Sequence, residues 1–258
     1  MKTTRYYIDT GRFPRELTLA IVADLHGDKP WEVIEILKKE RPDYILMPGD
    51  IFEDLDGSCD EKNNIAFDVL RESARIAPTF YSCGNHEDGE CGAWWKLWRR
   101  HEGRERCFSP ENTERIQSSG AVYLEDSYTV DGGIAFGGLA SGLLYRDKKP
   151  KLSWLEEFCR FEGPKVLLCH HPEYFEPYLK ELPIDLIVSG HAHGGQWRIF
   201  GRGVFAPGQG IFPKYTSGVH HGRFVISRGL KRGGIVPRIF NPREVVIVKL
   251  CKEKGNER

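Results

Sequence analysis

Five short apolar runs in this chain each stop on a residue able to bind a metal ion, and this recurrence restricts the fold more than any bulk property does. Residues 17–23 run into Asp24-Leu25-His26, and residues 44–47 into Pro48-Gly49-Asp50. Residues 79–81 run into Ser82-Cys83-Gly84-Asn85-His86-Glu87, residues 165–169 into His170, and residues 184–188 into Ser189-Gly190-His191-Ala192-His193. Short aliphatic and β-branched runs bounded by Gly and Pro read as strands buried on both faces. In α/β sheets the ligand site lies beyond the carboxyl ends of the strands, so these distant positions are expected to converge. In an extended segment side chains at i and i+2 share a side, which pairs Asp24 with His26 and His191 with His193.

The intervening sequence supports an α/β first half. Pro30 opens a helical pattern to residue 40, with Trp31, Ile34 and Leu37 on its apolar side and Lys38-Lys39 near its end. Residues 54–60 are acidic and turn-like, and residues 65–76 read as an amphipathic helix. Ser109-Pro110 starts another helix that ends at Gly120. From 121 to 139, three short β-like runs separated by turn residues predict antiparallel strands. Ser153-Trp154-Leu155-Glu156 is a capping-box pattern for a helix stopping at Gly163-Pro164. Strand-like runs at 197–200, 223–227 and 244–249 make the second half mostly β. At 258 residues, with no repeat or linker, one domain over 1–258 is expected.

Lys+Arg and Asp+Glu are both 37, so overall charge argues for neither nucleic acid nor a membrane surface as an obligate partner. Seven scattered cysteines without a C-x-x-C pair suit reduced thiols. The first seventeen residues are polar, and no apolar run reaches transmembrane length, so a soluble cytoplasmic protein is expected. The chain has no G-x-x-x-x-G-K-[ST], G-x-G-x-x-G or G-x-S-x-G motif, which excludes P-loop, dinucleotide and serine-hydrolase readings.

The converging set comprises two carboxylates (Asp24, Asp50), one amide oxygen (Asn85) and four imidazoles (His26, His170, His191, His193), with His86 left over. This mixture suits Mn, Fe, Zn or Co and is too rich in nitrogen for a Ca or Mg cage. The set exceeds what one tetrahedral ion takes. Two ions sharing a carboxylate, roughly 3.5–4 Å apart, accommodate it.

Asp-x-His, Gly-Asp, Gly-Asn-His-Glu, His and Gly-His-x-His, in that order across residues 24–193, resemble the calcineurin-like metallophosphoesterase superfamily. The continuation through Gly194-Gly195-Gln196, Ala206-Pro207-Gly208-Gln209-Gly210, Phe212-Pro213-Lys214-Tyr215, Ser227-Arg228-Gly229 and Phe240-Asn241-Pro242 is similar to its bacterial YkuE/YaeI-type branch. The resemblance implies a four-layer α/β/β/α sandwich of two mixed β-sheets flanked by helices. It also implies that Asp24, His26 and His193 hold one divalent ion, that Asn85, His170 and His191 hold the other, and that Asp50 bridges them. The ions (Mn, Fe or Zn) would carry a bridging hydroxide that attacks a phosphomonoester or phosphodiester. Two dipositive ions against Asp24, Asp50 and hydroxide leave the centre about one charge positive, which favours a small phosphate-ester substrate. His170, directly after its apolar run, is favoured over His171.

His86, next to Asn85, is expected to face the substrate and assist the phosphoryl group or the leaving group, with Glu53 or Asp54 as a candidate orienting acid. Cys83 and Cys169 are read as small buried residues. Trp94, Trp95 and Trp98 form a stripe that suits core packing, with a substrate lid as the alternative. The arginines between 99 and 106 suit a solvated face. Arg198, Lys214 and Arg228 lie in Gly-rich loops after the last metal motif and are candidate phosphate-gripping residues. Rival readings are a nucleotide-sugar or lipid-head-group pyrophosphatase and a non-catalytic scaffold retaining the fold.

Overall fold

A computed structural model describes residues 1–28, 31–53, 60–87, 107–142, 149–232 and 237–251. The first sheet contains Lys2–Ile8 (β1), Leu17–Ile21 (β2), Tyr44–Pro48 (β3), Thr79–Ser82 (β4), Val122–Tyr123 (β5) and Glu244–Leu250 (β16), in the order β1-β16-β2-β3-β4-β5. The second contains Ser127–Asp131 (β6), Ile134–Leu139 (β7), Lys165–Cys169 (β8), Leu186–Ser189 (β9), Gly218–His220 (β14) and Phe224–Ile226 (β15), in the order β14-β15-β9-β8-β7-β6. Between β9 and β14 lie two small hairpins, Arg198–Ile199 (β10) with Arg202–Gly203 (β11), and Phe205–Ala206 (β12) with Gly210–Ile211 (β13). In the first sheet β2 to β5 run parallel and β16 pairs antiparallel with β2. In the second, β7, β8, β9 and β15 run parallel with an antiparallel strand at each edge.

The side-chain alternation of these strands builds the layers. Leu19, Ile21, Leu46 and Phe80 face Phe136, Val166, Leu168 and Val188 of the other sheet, so one apolar layer lies between the two. Their sequence neighbours Ala20, Ile45, Met47 and Tyr81 point outward, under Trp31–Glu40 (α1), Asp60–Ile76 (α2) and Pro110–Ser118 (α3). On the far side, Leu167, Ile187 and Phe224 pack under Leu155–Arg160 (α4) and the helical turns at 172–179. The result is the expected α/β/β/α order.

Local details depart from expectation in four places. Trp31 is exposed, and Val33 joins Ile34 and Leu37 on the buried side of α1. Ser109 caps α3 as predicted, its hydroxyl accepting from the Asn112 amide at 3.2 Å. Ser153 does not cap α4, which the chain enters through a turn closed by the Leu155 amide donating to the Leu152 carbonyl at 3.0 Å. Of the three runs in 121–139, only β6 and β7 pair antiparallel, around Gly132-Gly133, whose positive φ values suit a tight hairpin turn. β5 instead extends the first sheet in parallel with β4. β1 carried no strand signal because it is a largely exposed, polar edge strand.

Candidate metal centre

Each site-bearing strand ends shortly before its site residue, and after β2, β3 and β9 the backbone then turns through the left-handed region. φ is 52° at Asp24, 52° at His26, 53° at Asp50, 63° at His191 and 45° at His193. Side chains other than glycine rarely adopt this conformation, which costs about 1–3 kcal/mol per residue and persists only where surroundings impose it. Here backbone bonds do so: the Asp24 amide donates to the Gly49 carbonyl at 3.2 Å, and the His26 amide to the Asp50 carbonyl at 3.0 Å. The His191 amide donates to Asp24 Oδ1 at 2.9 Å, tying together turns 167 positions apart. The extended i, i+2 geometry predicted from spacing is therefore replaced by successive left-handed turns.

The turns bring the expected residues into two buried clusters that share Asp50. Asp24, His26, Asp50 and His193 each offer a ligand atom within 4.8 Å of the others, as do Asp50, His170 and His191. His170 Nε2 lies 3.2 Å from Asp50 Oδ2 and 3.2 Å from Asn85 Oδ1, which is also 2.8 Å from His191 Nδ1. His26 Nε2 lies 3.6 Å from Asp50 Oδ2. His191 and His193 thus separate into different clusters rather than presenting two rings to one point.

Distal hydrogen bonds aim the rings. His170 Nδ1 is 2.8 Å from the Pro48 carbonyl, and His26 Nδ1 is 3.2 Å from Glu53 Oε2, so in both rings Nε2 is turned toward Asp50. Asp24 Oδ2, His26 Nε2 and Asp50 Oδ2 are buried without a hydrogen-bond partner of normal geometry. Such orphans are costly unless something occupies the space between them, and a divalent cation fits this donor set.

The electrostatics favour that occupant. Burial pushes the His26 imidazole down to about 3, with His86 acting in the same direction. Burial likewise holds His191 and His193 well below the usual imidazole range, so these rings are neutral and ready to ligate. Burial alone would raise Asp50, but the His170 imidazole outweighs it, with His86 and His26 adding to the effect, and holds the carboxyl well below its usual range. Burial raises Asp24 to about 6, with Asp50 adding to the rise.

The profile of the family described as Calcineurin-like phosphoesterase matches residues 17–195, more than half of the chain. The chain belongs to that family. It is 30% identical over 196 residues to Phosphodiesterase YaeI of Escherichia coli, covering 70% of this chain and 62% of that one. It is 26% identical over 268 residues to an uncharacterized metallophosphoesterase of Aquifex aeolicus, covering 99% of this chain and 94% of that one. A transmembrane protein with metallophosphoesterase domain from Danio rerio is 24% identical over 196 residues, covering 70% of this chain and 41% of that one. The chain thus spans nearly all of the Aquifex relative and under half of the Danio one.

Several residues that support the candidate cluster escaped the sequence reading. Glu87 is buried and accepts five hydrogen bonds. Oε2 takes the amides of Asp50 at 2.9 Å and Gly84 at 2.7 Å, while Oε1 takes those of Ile51 at 2.6 Å and Phe52 at 3.0 Å and the Tyr81 hydroxyl at 2.9 Å. It clamps the Asp50 and Asn85 loops together. Burial, with Asp50 nearby, raises its carboxyl to about 7. Glu53 serves His26 rather than His86: its carboxylate meets His26 and Lys231, and only its backbone carbonyl lies near His86 Nδ1, at 3.3 Å. Asp54, the other candidate, lies outside the described residues, as do the Trp94/Trp95/Trp98 stripe and the arginines of 99–106.

His171 sits behind the cluster, its ring nitrogens 2.9 Å from Ser141 Oγ and 3.1 Å from Glu173 Oε1. Though His171, Glu173 and His191 form a third close grouping, both His171 nitrogens are already engaged, whereas His170 faces Asp50. Cys83 and Cys169 are buried as expected, and burial pushes the Cys169 thiol far up. The three basic candidates each have partners within the protein. Arg198 donates to the carbonyls of Gly194, at 2.8 Å, and Gly201. Lys214 pairs with Glu176 at 2.5 Å, and Arg228 Nε lies 3.7 Å from Glu244 Oε2. Among the described residues no helix is long and apolar enough to cross a membrane.

Proposed function

We propose that the protein is a binuclear metal-dependent hydrolase of phosphate esters, with Asp24, His26 and His193 on one divalent ion, Asn85, His170 and His191 on the other, and Asp50 between them. The observation that carries this reading is the sharing of Asp50: its Oδ2 lies 3.2 Å from His170 Nε2 and 3.6 Å from His26 Nε2, and each cluster is complete only with it. When bound, two ions of the Mn, Fe or Zn type would supply a water acidic enough to act as nucleophile near neutral pH, and positive charge against the phosphoryl oxygens.

The chain's own residues do the rest. Glu87 holds the Asp50 and Asn85 loops at fixed separation, and Glu53 and the Pro48 carbonyl fix the rings of His26 and His170. His86 is half-buried, its amide donating to Asp50 Oδ1 at 3.0 Å and its ring edge-on to His26 at 4.3 Å. With Nδ1 beside the Glu53 carbonyl, Nε2 is left to meet the substrate, and as an imidazolium it donates to a phosphoryl oxygen or protonates the leaving alkoxide. Cytoplasmic residence belongs to the same proposal and is supported by the scattered cysteines without a C-x-x-C pair.

Metal analysis of the purified protein, paired with assays on a phosphomonoester, a phosphodiester and a nucleoside diphosphate, tests the reading. The printed name of the YaeI relative makes the diester the first substrate to try. Two ions per chain with metal-dependent turnover are expected, and Asp50→Ala should lose both. Two tightly held ions without turnover on any ester would make the protein a scaffold.

A further inference from the structure

The formal net charge of zero conceals a segment of a single sign: residues 186–243 hold nine Lys or Arg and no Asp or Glu. The same segment contains three Ile-Phe pairs, Ile199-Phe200, Ile211-Phe212 and Ile239-Phe240, all exposed to solvent. The phenylalanines are 102%, 70% and 87% exposed, and each sits in the left-handed region, at φ 48°, 51° and 52°. A bulky side chain is uncommon there, and a solvent turn with no use for the ring would favour Gly, Asn or Asp.

Backbone hydrogen bonds make the segments that bear the three pairs neighbours in the fold. The Arg198 amide donates to the Ile239 carbonyl at 3.0 Å, the Val204 amide to the Trp197 carbonyl at 2.9 Å, and the Phe212 amide to the Val204 carbonyl at 2.8 Å. Ile239 also bridges Trp197. Phe200 lies in the loop joining β10 to β11, and Phe212 directly follows β13. All three pairs lie beyond the stretch that matches the family profile.

Contiguous exposed apolar side chains mark an interaction surface. The partner is selected by charge: Lys214, Arg228, Lys231 and Arg243 are paired with acids from elsewhere in the chain, which leaves the exposed Arg202 and Arg232 to meet an anionic layer, and projecting aromatic tips reach past the headgroups to the acyl boundary. We propose that Phe200, Phe212 and Phe240 insert into an anionic lipid bilayer, with the exposed Arg202 and Arg232 meeting the headgroups. The face is fastened to the candidate metal centre, since Asn241 Nδ2 donates to the His193 carbonyl at 2.7 Å and Arg198 to the Gly194 carbonyl at 2.8 Å. Docking therefore brings that centre to phosphate esters carried at the bilayer surface. This consequence rests on the phosphoesterase reading; the docking does not.

Co-sedimentation of the full chain with phosphatidylcholine vesicles, with and without phosphatidylglycerol, tests the proposal apart from activity. Wild type should bind the anionic vesicles, and less so at high salt. The triple variant Phe200→Ser, Phe212→Ser, Phe240→Ser, with unchanged melting temperature because all three rings are exposed, should bind at least about tenfold more weakly. Arg202→Gln with Arg232→Gln should weaken binding several-fold and flatten the salt dependence. Absence of binding by wild type, or equal binding by the triple variant, overturns the proposal. So does a wild-type oligomer that the triple variant converts to monomer with no change in vesicle binding.

Discussion

Loading the metal-free protein with manganese at about pH 8 should release about one proton per chain from His170, with acidified water adding to that number. Burial would lower this imidazole, but the Asp50 carboxylate, helped by Asp24 and Glu87, raises it to about 10. Two units above the assay pH, about 99% of the rings carry the proton that a metal must displace. His26, His191 and His193 are depressed by burial and contribute none. Asp24, near 6, is ionised at pH 8 and adds about half a proton at pH 6. Titration calorimetry in two buffers of different ionisation enthalpy reads the number directly. Because the folded value lies above the ordinary 6.5, the stability His170 contributes to the metal-free protein is fully present below about pH 6.5 and is lost as pH rises toward 10. Metal affinity moves the other way, strengthening across the same window as the competing proton leaves. Release near zero at pH 8 would sink the Asp50–His170 ion pair and the electrostatic argument built on it.

Glu87→Gln turns an amide NH2 toward the Asp50 and Gly84 amides, leaving two buried donors unanswered at about 1–3 kcal/mol each. Removing a charge that burial and Asp50 disfavour returns part of this, so a net loss of about 2 kcal/mol and a melting temperature lower by about 4–8 °C are expected; an unchanged melting curve would contradict the clamp. His86→Ala should keep its metals and lose roughly 10²–10⁴ in turnover, and full activity would remove His86 from the mechanism. Glu53→Gln should weaken metal binding about ten- to a hundredfold through His26, as equilibrium dialysis would show. In Gly229→Ala the new methyl collides with the Asp24 carboxylate at a residue with φ 71°. Metal analysis should then find one ion per chain rather than two.

The strands were legible because burial on both faces leaves near-continuous apolar runs, and the candidate site was legible because those runs end on unusual side chains. The turns between were not. Spacing suggested extended pairs at 24/26 and 191/193, whereas backbone bonds to Gly49, Asp50 and neighbouring strands impose left-handed turns that no local pattern encodes. Glu87 stood in plain view within Gly-Asn-His-Glu, yet its role depends on five donors from two stretches of chain, 50–52 and 81–84. Arg198 and Lys214 show what spacing does not reveal: a basic residue in a Gly-rich loop suggests an anion, while loop carbonyls and a nearby Glu176 also hold these two side chains. Whole-chain charge is silent on local distribution: a sum of zero argues for no obligate anionic partner on average, while residues 186–243 hold nine Lys or Arg and no acid of their own, and expose three phenylalanines. Bare aromatic rings in left-handed turns have no use in water alone, and with the exposed Arg202 and Arg232 they are what the proposed anionic, apolar-cored partner would use.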